Sequence, residues 1–301
     1  MKRNKSIVKQ LQGKHDQGVV KQLQRRLRDW SSGQRCYSHS WSEEKRCQYD
    51  TQGRLIGLHL CGLGLEQIPS EVWQCTSLQK LHLTHNQLRT LPVEVGGFSS
   101  LCTLDLEHNW LSTLPVEVGN LSTLKSLYLS HNQLCALPVE VGNLSSLEWF
   151  DLPHNQLNTL PGEIGNLSHL RWLRLSDNRL SILPVEIGKL ADLRWLHLSH
   201  NQLSILPGEV GNLSLLRSLA LDHNQFSTLP VEVGNLSLLQ RLDLSHNQFG
   251  TLPVEVGKLS SLQTLLFSNN PLQGPVSDVL LSKDTPTILA YLRVLQSGEA
   301  R

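Results

Sequence analysis

One repeat dominates this chain of 301 residues. From Leu78 to Ser261 the sequence runs through eight consecutive copies of a 23-residue period, each close to LxxLxLxxNxLxxLPxEVGxLxx. A period of this length is typical of repeat architectures, in which each copy forms one small structural unit and stacks on the next copy. The repeat therefore predicts a solenoid rather than a domain folded around one closed core.

The copy that begins at Leu147 indicates how one period folds. Phe150 and Leu152 alternate with Trp149 and Asp151, and this period of two predicts a short strand with the first pair facing inward. A single copy buries too few apolar side chains to offset the ordering entropy of 23 residues, so the copies must share one core. We predict an α/β solenoid with a parallel β-sheet on the concave face and short turns or helical pieces on the convex face.

The copies at both ends of the array are degenerate. The first begins at Leu55 and has Leu63 where the others have Asn, and the last is a partial copy that ends near residue 272. We therefore predict about ten repeats over residues 55–272, followed by a C-terminal capping helix and tail over 273–301. The helix is predicted from apolar residues at helical spacing, namely Ile288, Leu289, Leu292 and Leu295.

Residues 1–54 contain no repeat and are predicted to form a basic N-terminal tail and a helical cap. The first 30 residues hold nine Lys or Arg against two Asp, which gives this end of the chain a strong positive charge. We interpret the basic face as a solvated surface of the cap, although binding to nucleic acid or to an anionic membrane stays open. The apolar face of the helix is predicted to contain Val20, Leu23, Leu27 and Trp30.

The sequence favours a cytoplasmic location. No apolar run follows the basic N-terminus as it would in a secretory signal, and no stretch is long and apolar enough to span a bilayer. Six cysteines are too few for a disulfide scaffold, and Cys61 stands with others in separate repeats without paired spacing. Cys36 and Cys47 bracket Trp41 and could form a small disulfide loop, but we favour two reduced thiols because a secretory signal is missing.

Several polar columns run through the regular copies. The Asn column, from Asn86 to Asn270, is interpreted as structural because an amide can satisfy turning backbone. The Glu column, from Glu94 to Glu255, offers one repeated environment rather than the two that acid–base catalysis needs, so we predict no catalytic or cofactor-binding residues. The residue before Asn is His in seven copies and could bridge a metal, but such a column lacks a third ligand and a fixed second shell, so no metal site is predicted. These histidines are His85, His108, His131, His154, His200, His223 and His246.

The repeat motif resembles a known family. LPVEVGNL at 114–121 and its variants LPGEIGNL and LPVEIGKL are similar to the Ras-group class of leucine-rich repeats, which also occurs in Roco GTPases and plant intracellular proteins. TPTILAYLRVL at 285–295 is similar to the cap before the GTPase domain of Roco-type chains. The chain contains no GxxxxGK[ST], so nucleotide chemistry does not carry over. The resemblance implies a regulatory module that acts with a separately encoded GTPase as one alternative function.

A second resemblance covers the front of the chain. DWSSGQRCYSHSWSEEKRCQYDTQGRLIGLHL at 29–60 is similar to the N-terminal cap of plant-receptor-type leucine-rich repeats, with a Trp and paired Cys before the first strand. Receptor-type repeats usually have Gly before Ile-Pro, whereas this chain reads LSTLP or LSILP. Both resemblances specify a fold and leave the ligand open.

The candidate binding site comes from positions at which the copies differ. Trp149, Trp172 and Trp195 take the same outward strand position in three consecutive copies, where the other copies have smaller or charged residues. Exposed indoles can anchor a partner, or they can pack on one another as a structural ladder. We predict a recognition patch around them that also includes Tyr128, Asp151, Arg171, Arg174, Arg194 and His197.

The residue types in this patch predict a non-enzymatic scaffold for protein–protein interaction. The indoles would anchor a protein or peptide on the concave face of a monomeric chain, while Arg171, Arg174 and Arg194 orient it. A Trp ladder can also stack sugar rings, so an extracellular carbohydrate-binding receptor module is a further alternative. Nucleic acid is disfavoured because the face mixes Arg174 with acidic residues such as Asp151 and lacks a continuous basic stripe.

Overall fold

A computed structural model describes residues 16–23, 25, 46–251, 254–273 and 284–297. Within these residues no helix is both long and apolar enough to cross a lipid bilayer. The chain divides into two compact units, and each is described by itself. The first unit comprises Met1–Leu134 and Asn143–Leu147, and the second comprises Cys135–Gly142 and Glu148–Arg301.

The first unit contains five strands that pair in chain order. They are β1 (Cys47–Tyr49), β2 (Leu55–His59), β3 (Lys80–His82), β4 (Thr103–Asp105) and β5 (Ser126–Tyr128). Strands β2 to β5 are parallel, and β1 lies antiparallel to β2. The segment over 1–54 therefore contributes a strand that the sequence analysis did not predict. The 3₁₀ helices of this unit are η1 (Ser70–Gln74), η2 (Val93–Gly97) and η3 (Val116–Asn120), and η4 (Val139–Asn143) contains residues of both units.

The second unit repeats the same pattern. Its parallel strands are β6 (Trp149–Asp151), β7 (Trp172–Arg174), β8 (Trp195–His197), β9 (Ser218–Ala220), β10 (Arg241–Asp243) and β11 (Thr264–Leu266). Its 3₁₀ helices are η5 (Gly162–Asn166), η6 (Val185–Lys189), η7 (Gly208–Asn212), η8 (Val231–Asn235) and η9 (Val254–Lys258). Each copy thus supplies one short strand and one short helix, which confirms the predicted α/β solenoid class.

The repeat residues explain this geometry. The central strand leucines, such as Leu173 and Leu196, are completely buried. Pro161 precedes η5 with a φ of −65° and introduces the turn of the helix without a backbone N–H to satisfy. Gly165 at the end of η5 is required by close packing, because a Cβ there would lie 2.6 Å from the backbone oxygen of Glu186 in the next copy.

The Asn column binds the backbone of neighbouring copies together. Asn178 is buried, and its Nδ2 donates to the carbonyl oxygens of Leu152 and Leu175, each at 3.0 Å. Its Oδ1 accepts from the backbone N–H of Leu157 at 3.0 Å. The same pattern recurs in the other copies, for example at Asn201. The amide therefore satisfies donors and acceptors that the turn would otherwise bury without partners.

A left-handed backbone explains the residue before each Asn. The seven histidines of that column, together with Asp177 and Asn269, have φ values between 51° and 56°. Asn, Asp and His are the non-glycine residues most enriched in this conformation. The His column is therefore first a consequence of the turn.

Helical residues lie near both ends of the described chain. Residues 16–23 are helical, and Val20 and Leu23 of the predicted apolar face are buried, whereas Leu27 and Trp30 lie outside the described residues. The C-terminal helix α1 (Thr285–Ser297) is capped by Asp284, whose Oδ1 accepts from the backbone N–H of Thr287. It packs against η9, and its residues Ile288, Leu289 and Leu292 are buried.

Cys47 agrees with the favoured prediction of a reduced thiol, whereas Cys61 differs from the prediction. Cys47 is a free thiol, so it does not form the small loop with Cys36 that was one of the two alternatives; Cys36 itself lies outside the described residues. Cys61 is disulfide-bonded, although the sequence analysis placed it among unpaired cysteines of separate repeats.

Candidate functional site

The three candidate tryptophans form one continuous stack. Trp149, Trp172 and Trp195 begin strands β6, β7 and β8 and are direct partners in the parallel pairing. Ring centroids are 4.6 Å apart for the first pair and 3.8 Å for the second, and the ring planes are within 15° of parallel. Strand spacing of about 4.8 Å places the side chains at stacking distance without adjustment. The structure therefore brings the three predicted anchors together.

Stacking changes which surface the indoles offer. Trp149 is 39% exposed, whereas Trp172 and Trp195 are half-buried. Both faces of Trp172 are covered by its neighbours, so its solvent-accessible surface lies mainly at the ring edge. The three indoles are thus only partly exposed, because each ring buries apolar area against the next one.

A polar row lies two residues further along the same strands. The register aligns Asp151 with Arg174 and Arg174 with His197. Nη1 of Arg174 lies 3.2 Å from Oδ2 of Asp151, whose side chain is largely buried. The imidazole of His197 makes an edge contact with Trp172 at a centroid distance of 6.4 Å. Asp151 was predicted to be an exposed outward residue, but this arginine covers it.

The arginines beside the strands are only partly free to orient a partner. Nη1 of Arg171 forms an ion pair with Oε2 of Glu148 at 3.0 Å, and nearly half of the arginine side chain stays exposed. Arg194 is half-buried, next to Trp195 in the chain. Tyr128, the remaining candidate, is half-buried at the end of β5 in the first unit, and the other eight candidates belong to the second unit.

The surroundings of His197 disfavour its charged form. Burial of the imidazole lowers its pKa below the usual value, and the positive charges of Arg174 and Arg241 lower it further, while Asp222 opposes them. Arg241 in turn pairs with Asp243 across 3.3 Å. The imidazole beside the Trp stack is therefore neutral near neutral pH.

Sequence reasoning missed some polar residues near the site. Glu148 pairs with Arg171, and Asp222 accepts hydrogen bonds from Ser199 and His223. The signal for Asp222 was available, since the copy at 221–224 reads LDHN where its two neighbours read LSHN. No comparable signal marked Glu148, because its partner is one copy away and outside the motif.

Comparison with protein families gives matches along the whole array. The profile for the leucine-rich repeat region matches residues 54–155 and 208–279. The profile for the single leucine-rich repeat matches 146–167, 169–190 and 192–213, a span that contains the Trp stack. A search of curated proteins gave no match.

Solved structures with the same architecture are numerous. The leucine-rich repeat protein LIC12759 of Leptospira interrogans is 32% identical with a TM-score of 0.69, and the match covers 79% of this chain and 65% of that protein. The ectodomain of the Arabidopsis thaliana receptor kinase GASSHO1/SCHENGEN3, solved with CASPARIAN STRIP INTEGRITY FACTOR 2, is 38% identical with a TM-score of 0.57, covering 69% of this chain and 29% of the receptor. InlJ of Listeria monocytogenes is 24% identical with a TM-score of 0.62, and the match covers 74% of this chain and 44% of InlJ. InlJ therefore shares the fold. This chain therefore spans less than two thirds of the length of these proteins.

Proposed function

This chain belongs to the leucine-rich repeat family, and from that premise we propose that it is a non-enzymatic scaffold that binds a protein or peptide through the outward face of β6 to β8. The observation that supports this proposal most is the indole stack of Trp149, Trp172 and Trp195. Their positions belong to the strand face rather than to the repeat core, so the fold itself does not require tryptophan there. Tryptophan and arginine are the residue types that most often dominate binding energy at protein interfaces.

The stack is rigid before any partner arrives. Each indole is held by its neighbour and by strand pairing, so binding would cost little side-chain entropy. Arg171 and Arg174 stay partly exposed beside the stack while paired with Glu148 and Asp151. Such pairs can offer their remaining N–H donors to the carbonyl or carboxylate oxygens of a partner. A peptide segment with an apolar side chain flanked by such acceptors fits this surface.

The carbohydrate alternative is less well supported. Sugar rings stack on open aromatic faces, whereas Trp172 has a neighbouring indole on each face.

The predicted GTPase partner and cytoplasmic location stay predictions. The disulfide at Cys61 favours an oxidising compartment instead, because thiols in the cytosol are kept reduced.

The test is an affinity capture with the whole chain as bait. Wild type is compared with a variant in which Trp149, Trp172 and Trp195 are all changed to Ala, after circular dichroism shows that both fold. Trp110→Ala is the matched control, since this exposed indole lies outside the stack and contacts Arg89. The proposal expects a protein that binds directly to purified wild type and to the control but loses binding to the triple variant.

Several outcomes would contradict the proposal. Equal binding of the partner to wild type and to the triple variant would mean that the stack is structural. Binding to glycans on an array that is lost with Trp172→Ala would favour the carbohydrate alternative. Dependence of the captured partner on added GTP, without dependence on the tryptophans, would favour the role beside a GTPase.

A further inference from the structure

Away from the Trp stack, three potential metal ligands converge on two neighbouring copies. His200 and His223 occupy equivalent turn positions, and their imidazole rings stack with centroids 4.0 Å apart. Asp222 precedes His223, and its Oδ2 lies 3.1 Å from Nδ1 of that ring. One ligand atom from each of the three residues lies within 4.8 Å of the other two. Among the described residues this is the one group of His, Cys, Asp and Glu with such a geometry.

The backbone holds both imidazoles in the same direction. His200 and His223 each have a φ of 54°, and the Asn that follows each of them is buried in the repeat. The direction of the two Cα–Cβ bonds is therefore set by the turn rather than by the side chains themselves. Preorganised ligands lower the entropic cost of capturing an ion.

Asp222 supplies what the His column lacks elsewhere. A column of exposed imidazoles has no third ligand and no fixed second shell, which is why no metal site is predicted from the sequence. Here Oγ of Ser199 donates to Oδ1 of Asp222 and fixes the carboxylate.

We propose that His200, Asp222 and His223 form a binding site for a divalent transition-metal ion, with Zn²⁺ as the ion that suits them best. Two imidazole nitrogens and one carboxylate oxygen are common zinc ligands, and water would complete the tetrahedron. Neighbouring ligands around Zn²⁺ lie roughly 3.3 Å apart, given bond lengths of about 2.0 to 2.1 Å. In the structure the three ligand atoms lie within 4.8 Å of one another. Small rotations of the two imidazoles would bring them to the shorter distances that zinc requires.

The bound ion would link two adjacent copies. His200 belongs to one copy, and Asp222 and His223 to the next. Binding to the folded chain alone would raise its thermal stability, and the increase would grow with the concentration of the ion. This gives the site a readout that is independent of any partner of the Trp stack.

The experiment is a calorimetric titration of the intact chain with Zn²⁺ in a non-chelating buffer, paired with thermal unfolding in the presence and absence of the ion. Asp222→Ser restores the LSHN motif of the neighbouring copies and so should fold normally. Both Asp222→Ser and His200→Ala should weaken Zn²⁺ binding by roughly tenfold or more and remove the thermal stabilisation.

His246→Ala is the matched control. Its ring also stacks on His223, at a centroid distance of 4.0 Å, but its copy has Ser245 in place of the aspartate. Zn²⁺ affinity should stay within about twofold of wild type in this variant, well under the tenfold that 1.4 kcal/mol represents. The proposal is overturned if wild type shows no zinc-dependent heat or stabilisation, if Asp222→Ser binds as tightly as wild type, or if His246→Ala weakens binding as much as His200→Ala.

Discussion

The indole rings of Trp172 and Trp195 stack with centroids 3.8 Å apart because the two residues are direct partners in the pairing of β7 with β8. The contact follows from the repeat period, since equal spacing in the chain gives equal height along neighbouring strands. Stacking also removes both faces of Trp172 from solvent, which leaves ring edges as the surface for recognition. A binding role and a stabilising role are therefore combined in the same side chains.

The stabilising role can be measured by a double-mutant cycle. Trp172→Ala and Trp195→Ala should each lower the free energy of unfolding, and the two effects should couple by about 1 kcal/mol, as expected for an aromatic pair. Urea unfolding of wild type, both single variants and the double variant gives the coupling. Strictly additive effects would show that the rings do not stack in solution.

The Asn column predicts a large and specific loss of stability. Asn178→Ala would leave the buried backbone N–H of Leu157 without its acceptor. It would also remove one of the two asparagine donors from each of the carbonyl oxygens of Leu152 and Leu175, at a total cost of about 2 kcal/mol. Asn158→Ala is the control, since this asparagine is exposed in the preceding copy, next to Leu157. Chemical unfolding of both variants measures the difference. A loss for Asn158→Ala equal to that for Asn178→Ala would refute the structural role.

The left-handed turn predicts which residues can replace His. His131 has a φ of 54°, so His131→Asn should be nearly neutral for the backbone, whereas His131→Val should cost about 1–2 kcal/mol more. Both variants lose the stacking of this ring on His108, so the difference between them isolates the backbone. Thermal unfolding provides the comparison, and equal stability of the two variants would contradict the assignment.

His197 predicts a pH dependence of stability. Its pKa is lowered by burial and then by Arg174 and Arg241, so the unfolded chain binds this proton more tightly than the folded chain. Stability is therefore lost as the pH falls below about 6.5, the usual histidine value, towards the lower pKa of the folded state. Arg174→Gln should raise the pKa of His197, while burial keeps it below the usual value.

An NMR titration of the His197 imidazole measures this shift directly. Arg171→Gln serves as the control, because Arg171 pairs with Glu148 and is not among the causes of the lowered pKa. An unchanged pKa in Arg174→Gln, or an equal rise in the control, would mean that the charge of Arg174 does not act on His197.

Cysteine reactivity tests the cap region. Burial raises the pKa of Cys47 to about 11 and that of Cys75 to about 12, so both thiols should resist alkylation in the folded chain at neutral pH. The exposed Cys135 should react readily, and Cys61 should react only after reduction. Mass spectrometry of the alkylated chain, before and after unfolding and reduction, gives the order in which the cysteines react.

The partner of Cys61 can be mapped in the same experiment. Non-reducing peptide mapping should recover Cys61 in a cross-linked peptide and so identify its partner. Labelling of Cys61 in the unreduced chain would contradict the disulfide. A disulfide in the chain isolated from its source would point to an oxidising compartment.

Much of the architecture was predictable from the sequence because the same pattern of apolar and polar residues recurs from copy to copy. The strand at Trp149–Asp151 follows from alternation, and the structural role of Asn178 follows from the needs of a buried turn. The alignment of the three tryptophans was also predictable, since residues 23 apart take the same place in successive copies. Local pattern and period are sufficient for these features.

Contacts between copies required the tertiary structure. The sequence places Arg174 and Asp151 on the same face, but only side-chain conformation decides that they pair and that Asp151 becomes buried. The same holds for Asp222, whose departure from LSHN is visible in the sequence, while its approach to His200 depends on how two turns stack. β1 was likewise hidden, because a strand that pairs with the edge of the array needs no repeat pattern of its own. The sequence by itself determined the period, the fold class, the buried leucines and the Asn column, since these depend on residue spacing. The tertiary structure decided which surface groups meet, because that depends on distances across neighbouring copies.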